Sequence, residues 1–144
     1  MAEKAADAVA SIVVNAPRQE VWEALTTPEL VKQYFLGTTV ASTWEVGSPI
    51  TFSGEWQGKS YQDHGVILAS EPPGLLRYTH YSPSGGKPDE PENYHVVEYR
   101  VAEADAGSAV TITQANNSSE SEVVESEKTW RLVLGNLKEF VESR

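Results

Sequence analysis

The sequence contains no cysteine. Disulfide bonds, zinc–thiolate sites, iron–sulfur clusters and thiol nucleophiles are therefore excluded. A chain of 144 residues can bury roughly 68–70% of the surface that it exposes when unfolded, so its core needs neither a disulfide nor a metal. The lack of cysteine is consistent with a reducing compartment, and we expect the protein to be cytoplasmic.

Basic residues are scarce in this chain. Its 11 lysines and arginines stand against 21 aspartates and glutamates, which gives a formal net charge of −10. Nucleic acids and anionic membrane surfaces attract clustered Lys and Arg side chains, and we expect neither as a partner. A net negative charge of this size is typical of a surface that keeps a protein in solution.

Long apolar runs are also missing. No segment approaches the roughly 18–20 consecutive apolar residues that cross a bilayer, so we expect no membrane insertion. Residues 1–10 lack a basic start followed by an apolar block, and we expect no signal peptide. The length is typical of one domain, which we expect to span residues 1–144.

One long amphipathic helix is predicted at Ser119–Val141. Apolar residues recur there at the three- and four-residue spacing of a single helical face. The members of this stripe are Val123, Trp130, Leu134, Leu137 and Val141. Ser119 followed by Glu122 is typical of a capping box at the start of such a helix. The stripe must be buried against whatever precedes the helix.

Short elements precede this helix. The β-branched run Ala8–Asn15 predicts a strand, and Pro17 and Thr27-Pro28 mark the starts of two short helices. From there the apolar period changes to two, which predicts six further strands. These are Thr38–Glu45, Pro49–Trp56, Lys59–Ser70, Leu75–Tyr81, Tyr94–Ala104 and Ser108–Ala115. Neighbours joined by short turns must be antiparallel.

The predicted fold class is therefore α+β. We expect a curved antiparallel sheet of about seven strands around a long C-terminal helix, with two short helices between strands 1 and 2. One helix cannot fill the inner face of a strongly curved sheet, so a hollow is expected between them. Residues 82–93, which include three prolines and two glycines, are predicted to form a mobile loop between strands.

Three groups of residues resemble a known family. They are residues 16–29 (APRQEVWEALTTPE), the strand residues Gly65-Val66-Ile67 with Glu71-Pro72-Pro73 and Leu76, and the helix residues Thr129-Trp130, Leu134 and Leu137-Lys138. Together they resemble the START-like superfamily, also called SRPBCC or Bet v 1-like, and within it the branch homologous to the activator of Hsp90 ATPase. The resemblance covers essentially the whole chain and implies a helix-grip fold.

The resemblance also implies a cavity-type binder. Members of the superfamily bind sterols, lipids, plant hormones, polyketides and flavonoids, and some are cyclases or hydrolases. The branch implies an Hsp90-type chaperone as a partner. However, the eukaryotic activator makes much of its chaperone contact through a further N-terminal domain, for which these residues leave no room. We therefore expect the chaperone interpretation to be the weaker one.

Strand alternation predicts which side chains face the hollow. Counted from the turn at Pro72-Pro73, the inward set is His64, Val66 and Leu68; Leu76, Tyr78 and His80; His95, Val97, Tyr99 and Val101; and Val110, Ile112 and Gln114. Asp63 and His64 then point to opposite faces and form no dyad.

The three histidines on adjacent strands have three interpretations. The first is a metal site, although no close-spaced ligand motif is present. The second is partly hydrated residues at strand ends. The third is that His80 or His95 forms a hydrogen bond with a ligand at the cavity mouth. We expect no metal and no cofactor.

Aromatic and helical residues complete the candidate cavity. Tyr34, Phe35 and Trp56 lie near the predicted opening and are either lining or core residues, whereas Trp130 and Leu134 belong to the stripe of the helix. Glu127 lies one turn before Trp130, either in solvent or as an inward polar anchor with a raised pKa. The interior helical glycine, Gly135, is explained by close packing or a slight bend.

Three functions remain open. The first is binding of a small hydrophobic or aromatic ligand (lipid, polyketide or flavonoid-like), which an enclosed pocket lined by Val, Leu, Tyr and Trp would favour. The second is a module that binds an Hsp90-type chaperone or another protein, which a large exposed apolar patch would favour. The third is a cyclase or hydrolase with a cavity histidine or Glu127 as the acid–base, which an ordered inward-facing His–acid pair near the mouth would favour. No catalytic residue is assigned from the sequence.

Overall fold

The computed structural model describes residues 5–144. Its strands are β1 (Ala8–Val14), β2 (Thr39–Ser42), β3 (Pro49–Trp56), β4 (Lys59–Glu71), β5 (Leu75–His80), β6 (His95–Ala104) and β7 (Gly107–Ala115). Its helices are α1 (Arg18–Thr26), α2 (Pro28–Tyr34) and α3 (Glu120–Glu142). The predicted order of strand, two short helices, six strands and long helix is confirmed.

The seven strands form one antiparallel sheet in the order β1-β7-β6-β5-β4-β3-β2. Two of its cross-strand pairings involve the histidines. His80 lies opposite His95 on β6, and His64 forms a bridge with Tyr81 beyond the end of β5. The strands therefore bring residues from β4, β5 and β6 to one end of the sheet.

The two short helices begin where proline and threonine predicted. Pro17 and Thr27 occupy the N-cap positions of α1 and α2, and Pro28 is the first residue of α2. The Tyr34 hydroxyl donates a 2.8 Å hydrogen bond to the Ala24 carbonyl, which links the two helices. After α2 the chain reverses through positive φ angles at Leu36 and Gly37 and enters β2.

Helix α3 packs its apolar stripe against the sheet. Its buried residues are Val123, Trp130, Val133, Leu134, Leu137 and Val141. Ser119 Oγ accepts a 3.1 Å hydrogen bond from the Glu122 N–H, as in a capping box. The Glu122 carboxylate accepts from the N–H of Ser118, one residue before the cap. No helix in the described part of the chain, α3 included, has the length and apolarity to cross a membrane.

Polar side chains of α3 also close the free edge of β1. Edge strands carry unpaired N–H and C=O groups that invite unwanted pairing. Glu127 accepts from the Val9 N–H at 3.0 Å, Glu142 accepts from the Asn15 N–H at 2.8 Å, and Lys138 donates to the Val13 carbonyl at 2.9 Å. Glu127 therefore lies neither free in solvent nor inside the hollow, because it caps the backbone of the edge strand.

The predicted facing of β4 is wrong by one residue. Gly65 and Ile67 are buried on the inner face, whereas Val66 and Leu68 are 40% and 42% exposed on the outer face. The pairing of β4 with β5 shifts by one residue between Ile67 and Ala69, which is a β-bulge. The alternation was counted from the Pro72-Pro73 turn, so every residue of β4 that lies beyond the bulge was assigned to the wrong face.

His64 shares this outer face. Its Nε2 atom lies 3.3 Å from the Asp89 carboxylate, in the loop between β5 and β6. In the same loop the Tyr94 hydroxyl donates to Asp89 at 2.5 Å, and the rings of Tyr81 and Tyr94 stack. The segment predicted as a mobile loop thus packs its own side chains at the end of the sheet and includes two single turns of 3-10 helix, Pro83–Gly85 and Pro91–Asn93.

Candidate functional site

A cavity of about 380 Å³ lies between the sheet and α3. Strands β3 to β7 form its floor, α3 forms one wall, and the segment after α2 closes one end. Its lining residues are Phe35, Thr38, Phe52, Asp63, Tyr78, His80, Val97, Gln114, Glu122, Glu125, Ser126, Thr129 and Trp130. The volume falls within the range of small-molecule sites in proteins.

Aromatic rings form the inner part of the cavity. Phe35 meets the ring of Trp130 edge to face at 5.7 Å between centroids, and Phe52 lies 5.4 Å from Tyr78. Tyr99 packs behind them against Trp130 at 6.0 Å. Burial raises the pKa of Tyr78 well above its usual value, and the nearby Tyr99 adds to this rise. The phenol of Tyr78 is therefore neutral at any physiological pH, and this wall presents flat, uncharged surfaces.

A buried amide network spans the cavity from β7 to α3. The Trp130 indole N–H can only donate, and it lies 3.0 Å from Gln114 Oε1. This contact fixes the orientation of the Gln114 amide, whose nitrogen donates to Asn117 Oδ1 and to Ser126 Oγ, each at 2.9 Å. Because Ser126 Oγ already accepts this hydrogen bond, its hydroxyl proton is available to donate to a molecule in the cavity.

An imidazole–carboxylate pair lies on the opposite side of the cavity. His80 Nε2 is 3.0 Å from Asp63 Oδ2, and both side chains line the cavity. Among the described residues, the other carboxylate oxygen, Asp63 Oδ1, is the only buried side-chain nitrogen or oxygen without a hydrogen-bond partner. This oxygen is covered by the protein and receives no hydrogen bond from it, which is an unfavourable state for a carboxylate.

A second imidazole–carboxylate pair adjoins the first. The ring of His95 stacks on His80 with centroids 6.3 Å apart, and its Nε2 atom is 3.1 Å from Glu122 Oε1. Burial opposes the ionisation of Glu122, but hydrogen bonds from the Ser118 N–H and from His95 outweigh it and hold the pKa of this carboxyl below its usual value. Glu122 therefore joins β6 to the start of α3 as an anion.

The cavity opens through a groove of about 610 Å³. This groove shares Asp63 and Thr129 with the cavity, and the β3–β4 turn forms its other side. Two of the residues that line this groove are exposed apolar side chains, Leu36 at 43% and Leu132 at 54%. The entrance therefore presents apolar surface to solvent beside the polar pair.

Apart from Trp56, the predicted site residues fall into four groups, which are the cavity lining, the core, the rim and the positions outside the cavity. Phe35, Tyr78, His80, Val97 and Trp130 line the cavity. Tyr34, Tyr99 and Leu134 are buried in the core, and His95 lies at the rim beside Glu122. His64, Val66, Leu68 and Glu127 lie outside the cavity. The side chain of Trp56 lies outside the described part of the structure.

A metal site was one interpretation of the three histidines. Across the described residues, no group of three or more His, Asp or Glu side chains has the arrangement to hold a metal ion. Instead each imidazole has its own carboxylate: Asp89 for His64, Asp63 for His80 and Glu122 for His95.

Sequence reasoning missed one apolar and six polar residues of the cavity lining: Phe52, Thr38, Asp63, Glu122, Glu125, Ser126 and Thr129. Asp63 was placed on the outer face because the predicted alternation of β4 was inverted. Ser126 lies three residues after Val123 and four before Trp130, so the stripe of the helix already places it on the inward face. Only the folded chain brings its hydroxyl within 2.9 Å of the Gln114 side-chain nitrogen.

The chain matches the family model described as "Activator of Hsp90 ATPase homolog 1-like protein" over residues 15–142. It is similar to the solved structure of ChR145 from Cytophaga hutchinsonii, with 46% sequence identity, a TM-score of 0.85, and coverage of 99% of this chain and 97% of that one. CalU16 from Micromonospora echinospora has 27% identity and a TM-score of 0.73, with coverage of 94% and 75% respectively. CV1439 from Chromobacterium violaceum, at 20% identity, shares the fold with a TM-score of 0.77 and coverage of 94% and 96%. No curated protein matches the chain.

Proposed function

The chain belongs to the family of activator of Hsp90 ATPase homolog 1-like proteins, and from this premise we propose that its cavity binds a small, largely apolar aromatic molecule. The observation that carries the proposal is the aromatic cavity of about 380 Å³ between the sheet and α3. Concave, mostly apolar sites with a few fixed polar groups are typical of small-molecule binding.

The polar groups narrow the class of ligand. Ser126 offers a hydroxyl proton on the α3 side, and the Asp63–His80 pair provides hydrogen-bond acceptors on the opposite side, where both residues line the cavity. A matching ligand carries an acceptor such as a carbonyl and a donor such as a hydroxyl. The flat walls formed by Phe35, Phe52 and Trp130 favour planar rings, which stack at a low cost in conformational entropy. Hydroxylated aromatic ketones of the polyketide or flavonoid kind therefore fit better than long-chain lipids.

The test is a titration of isotopically labelled protein with a panel of small molecules, monitored by NMR. The panel contains 2-tetralone, naringenin, a dihydroxyanthraquinone and palmitate. We expect saturable shifts of the Trp130 indole N–H and the Gln114 side-chain amide with the aromatic ketones, because both groups belong to the cavity network. Shifts confined to palmitate would replace the aromatic ligand with a lipid.

A matched pair of serine variants on α3 locates the binding site. Ser126→Ala removes the donor that faces the cavity and should weaken ketone binding about fivefold, the equivalent of one neutral hydrogen bond. Ser121→Ala, at an exposed position of the same helix, should leave the affinity unchanged. Equal effects of the two substitutions would contradict the placement of the ligand beside Ser126.

The protein-partner hypothesis is the other outcome of this titration. If no compound shifts the cavity resonances, the exposed Leu36 and Leu132 at the entrance become the surface to test, by titration with an Hsp90-type chaperone. Shifts at that rim without any cavity ligand would favour a co-chaperone-like module over a small-molecule binder.

A further inference from the structure

The cavity wall contains an acid–base pair that binding alone does not require. We propose that Asp63 and His80 form a catalytic centre that moves a proton on a small apolar ketone held in the cavity. This inference rests on the proposed binding function and adds a reaction to it. It is carried by the geometry of the pair, by the unpaired oxygen of Asp63, and by the hydroxyl donor of Ser126.

Asp63 decides which nitrogen of His80 is available. An ionised carboxylate only accepts hydrogen bonds, so Nε2, which faces Asp63 Oδ2 at 3.0 Å, carries the proton of the neutral ring. The lone pair is then on Nδ1. This atom has no hydrogen-bond partner among the described residues and is not one of their fully buried polar atoms, so it is accessible on a side chain that lines the cavity. A base oriented by a carboxylate is the recurrent arrangement of acid–base and nucleophilic sites.

The unpaired oxygen of Asp63 distinguishes this pair from a structural salt bridge. A buried carboxylate oxygen that receives no hydrogen bond from the protein weakens the folded state, and a catalytic role is one of the recognised reasons why native proteins keep such a group. The packing around the pair is fixed, since the ring of His80 meets Phe52 edge to face at 5.4 Å and stacks on His95 at 6.3 Å.

The other two His–carboxylate pairs have structural explanations. Glu122 accepts from the Ser118 N–H as well as pairing with His95, and so holds the start of α3 against β6. His64 and Asp89 are 38% and 52% exposed on the outer face, where they tie the β5–β6 loop to β4. Of the three pairs in the described structure, Asp63–His80 alone lies in the cavity with an oxygen unpaired.

The reaction is a keto–enol proton transfer. Nδ1 of His80 takes a proton from the carbon next to the carbonyl, so the C–H bond breaks, an N–H bond forms, and the electron pair moves onto the carbonyl oxygen. Asp63 stabilises the imidazolium ion, and the Ser126 hydroxyl donates a hydrogen bond to the enolate oxygen. The imidazolium then returns the proton to the oxygen or to carbon. Atoms and electrons balance without any co-reactant.

The chemical class of substrate follows from the cavity. It is a small aromatic or polycyclic ketone with an acidic C–H beside the carbonyl, because the walls are aromatic and the only groups that the step uses are one base, one carboxylate and one hydroxyl. 2-Tetralone has this chemistry and is used as the probe. Its exchangeable CH₂ groups report proton transfer directly, as loss of their proton signals in D₂O.

The experiment measures deuterium incorporation into 2-tetralone by the full chain, relative to buffer of the same composition. We expect saturable exchange above the buffer rate. General bases contribute typically 10²–10⁴-fold, so His80→Gln should lower the catalysed rate by about 100-fold or more. Asp63→Asn should lower it similarly, because the amide can donate to Nε2 and place the ring proton on Nδ1, which leaves no base in the cavity.

His64→Gln is the matched control. It removes a histidine that is also paired with a carboxylate, one residue from Asp63 but on the outer face, and should leave the exchange rate unchanged. His80→Ala supplies a second measurement, because free imidazole should restore exchange to a folded protein that lacks only its base. Failure of imidazole to restore exchange in a folded, ligand-binding His80→Ala variant contradicts the role of His80.

Binding and catalysis are separated by the indole signal of Trp130. Saturable binding of 2-tetralone without exchange above buffer, or an equal loss of rate in His64→Gln, overturns the inference and leaves the proposed function intact. No binding of 2-tetralone when another compound of the panel binds also overturns the inference alone. If no compound binds, the proposed function fails, and the inference fails with it.

Discussion

Replacing Gln114 with leucine tests the buried network that joins the sheet to α3. The Gln114 amide accepts from the Trp130 indole at 3.0 Å and donates to Asn117 and Ser126 at 2.9 Å each. Leucine has a similar size but can make none of these hydrogen bonds. The Trp130 N–H and Asn117 Oδ1 then remain in the interior without partners, whereas the Ser126 hydroxyl can turn to water in the cavity.

The magnitude follows from these two stranded groups. Each unsatisfied buried group costs about 1–3 kcal/mol, which gives about 2–6 kcal/mol for the pair. The additional apolar surface of leucine offsets about 1 kcal/mol of this loss. We therefore expect the free energy of unfolding to fall by about 1–5 kcal/mol, a large part of the stability of a typical domain.

The assay is urea unfolding monitored by far-UV circular dichroism, a signal that does not depend on the altered surroundings of Trp130. Gln62→Leu, at an exposed position of β4, is the matched control and should change stability by no more than about 0.5 kcal/mol. Hydrogen exchange of the Trp130 indole should also accelerate in Gln114→Leu. A loss below about 0.5 kcal/mol, with slow indole exchange retained, would refute the view that this network is fully formed.

Four further substitutions test other parts of the fold. Gly65→Ala should lower the free energy of unfolding by about 3 kcal/mol or more, because the new Cβ atom would overlap the backbone carbonyl of Thr79. Gly135→Ala has open space around the new Cβ atom and should instead stabilise α3 by up to about 1 kcal/mol. Thermal unfolding measures both effects, and a reversal of either sign would contradict the corresponding prediction. Leu137→Ala should cost about 2–5 kcal/mol in urea unfolding, since Leu137 is 1% exposed on the face of α3 that meets the sheet, and a much smaller loss would mean that the helix does not grip. For Glu122→Gln the effect on the free energy of unfolding depends on pH. The pKa of Glu122 is lowered in the folded state, so its stabilising contribution is present above the ordinary value of 4.5 and is lost as the pH falls through the lowered pKa. A variant that is still less stable than the parent protein in acid would show that the ionised carboxylate is not the cause.

Local patterns carried most of the fold. The stripe of α3, its Ser119 cap and the prolines before α1 and α2 depend on residues within a few positions of one another, so periodicity and capping chemistry were sufficient to locate these elements. The opposition of His80 and His95 could also be derived, because the chain leaves β5 and returns antiparallel on β6. The interpretation of Gly135 as a close-packing site is wrong, since open space surrounds its Cβ position.

Tertiary structure decided the chemistry of the site. The bulge between Ile67 and Ala69 turned Asp63 inward and His64 outward, and nothing in the local alternation of β4 announces a bulge. Glu127 accepts a hydrogen bond from the Val9 N–H, 118 positions away in the chain, because α3 lies along the edge of β1.

The same holds for the two polar sides of the cavity. Asp63 on β4 forms a hydrogen bond with His80 on the neighbouring strand β5. Gln114 forms hydrogen bonds with Trp130 and Ser126 across the gap between the sheet and α3. Sequence periodicity specifies which face of its own element a residue occupies. Which residue stands opposite depends on register, bulges and helix placement, and these are set by the packing of the whole chain.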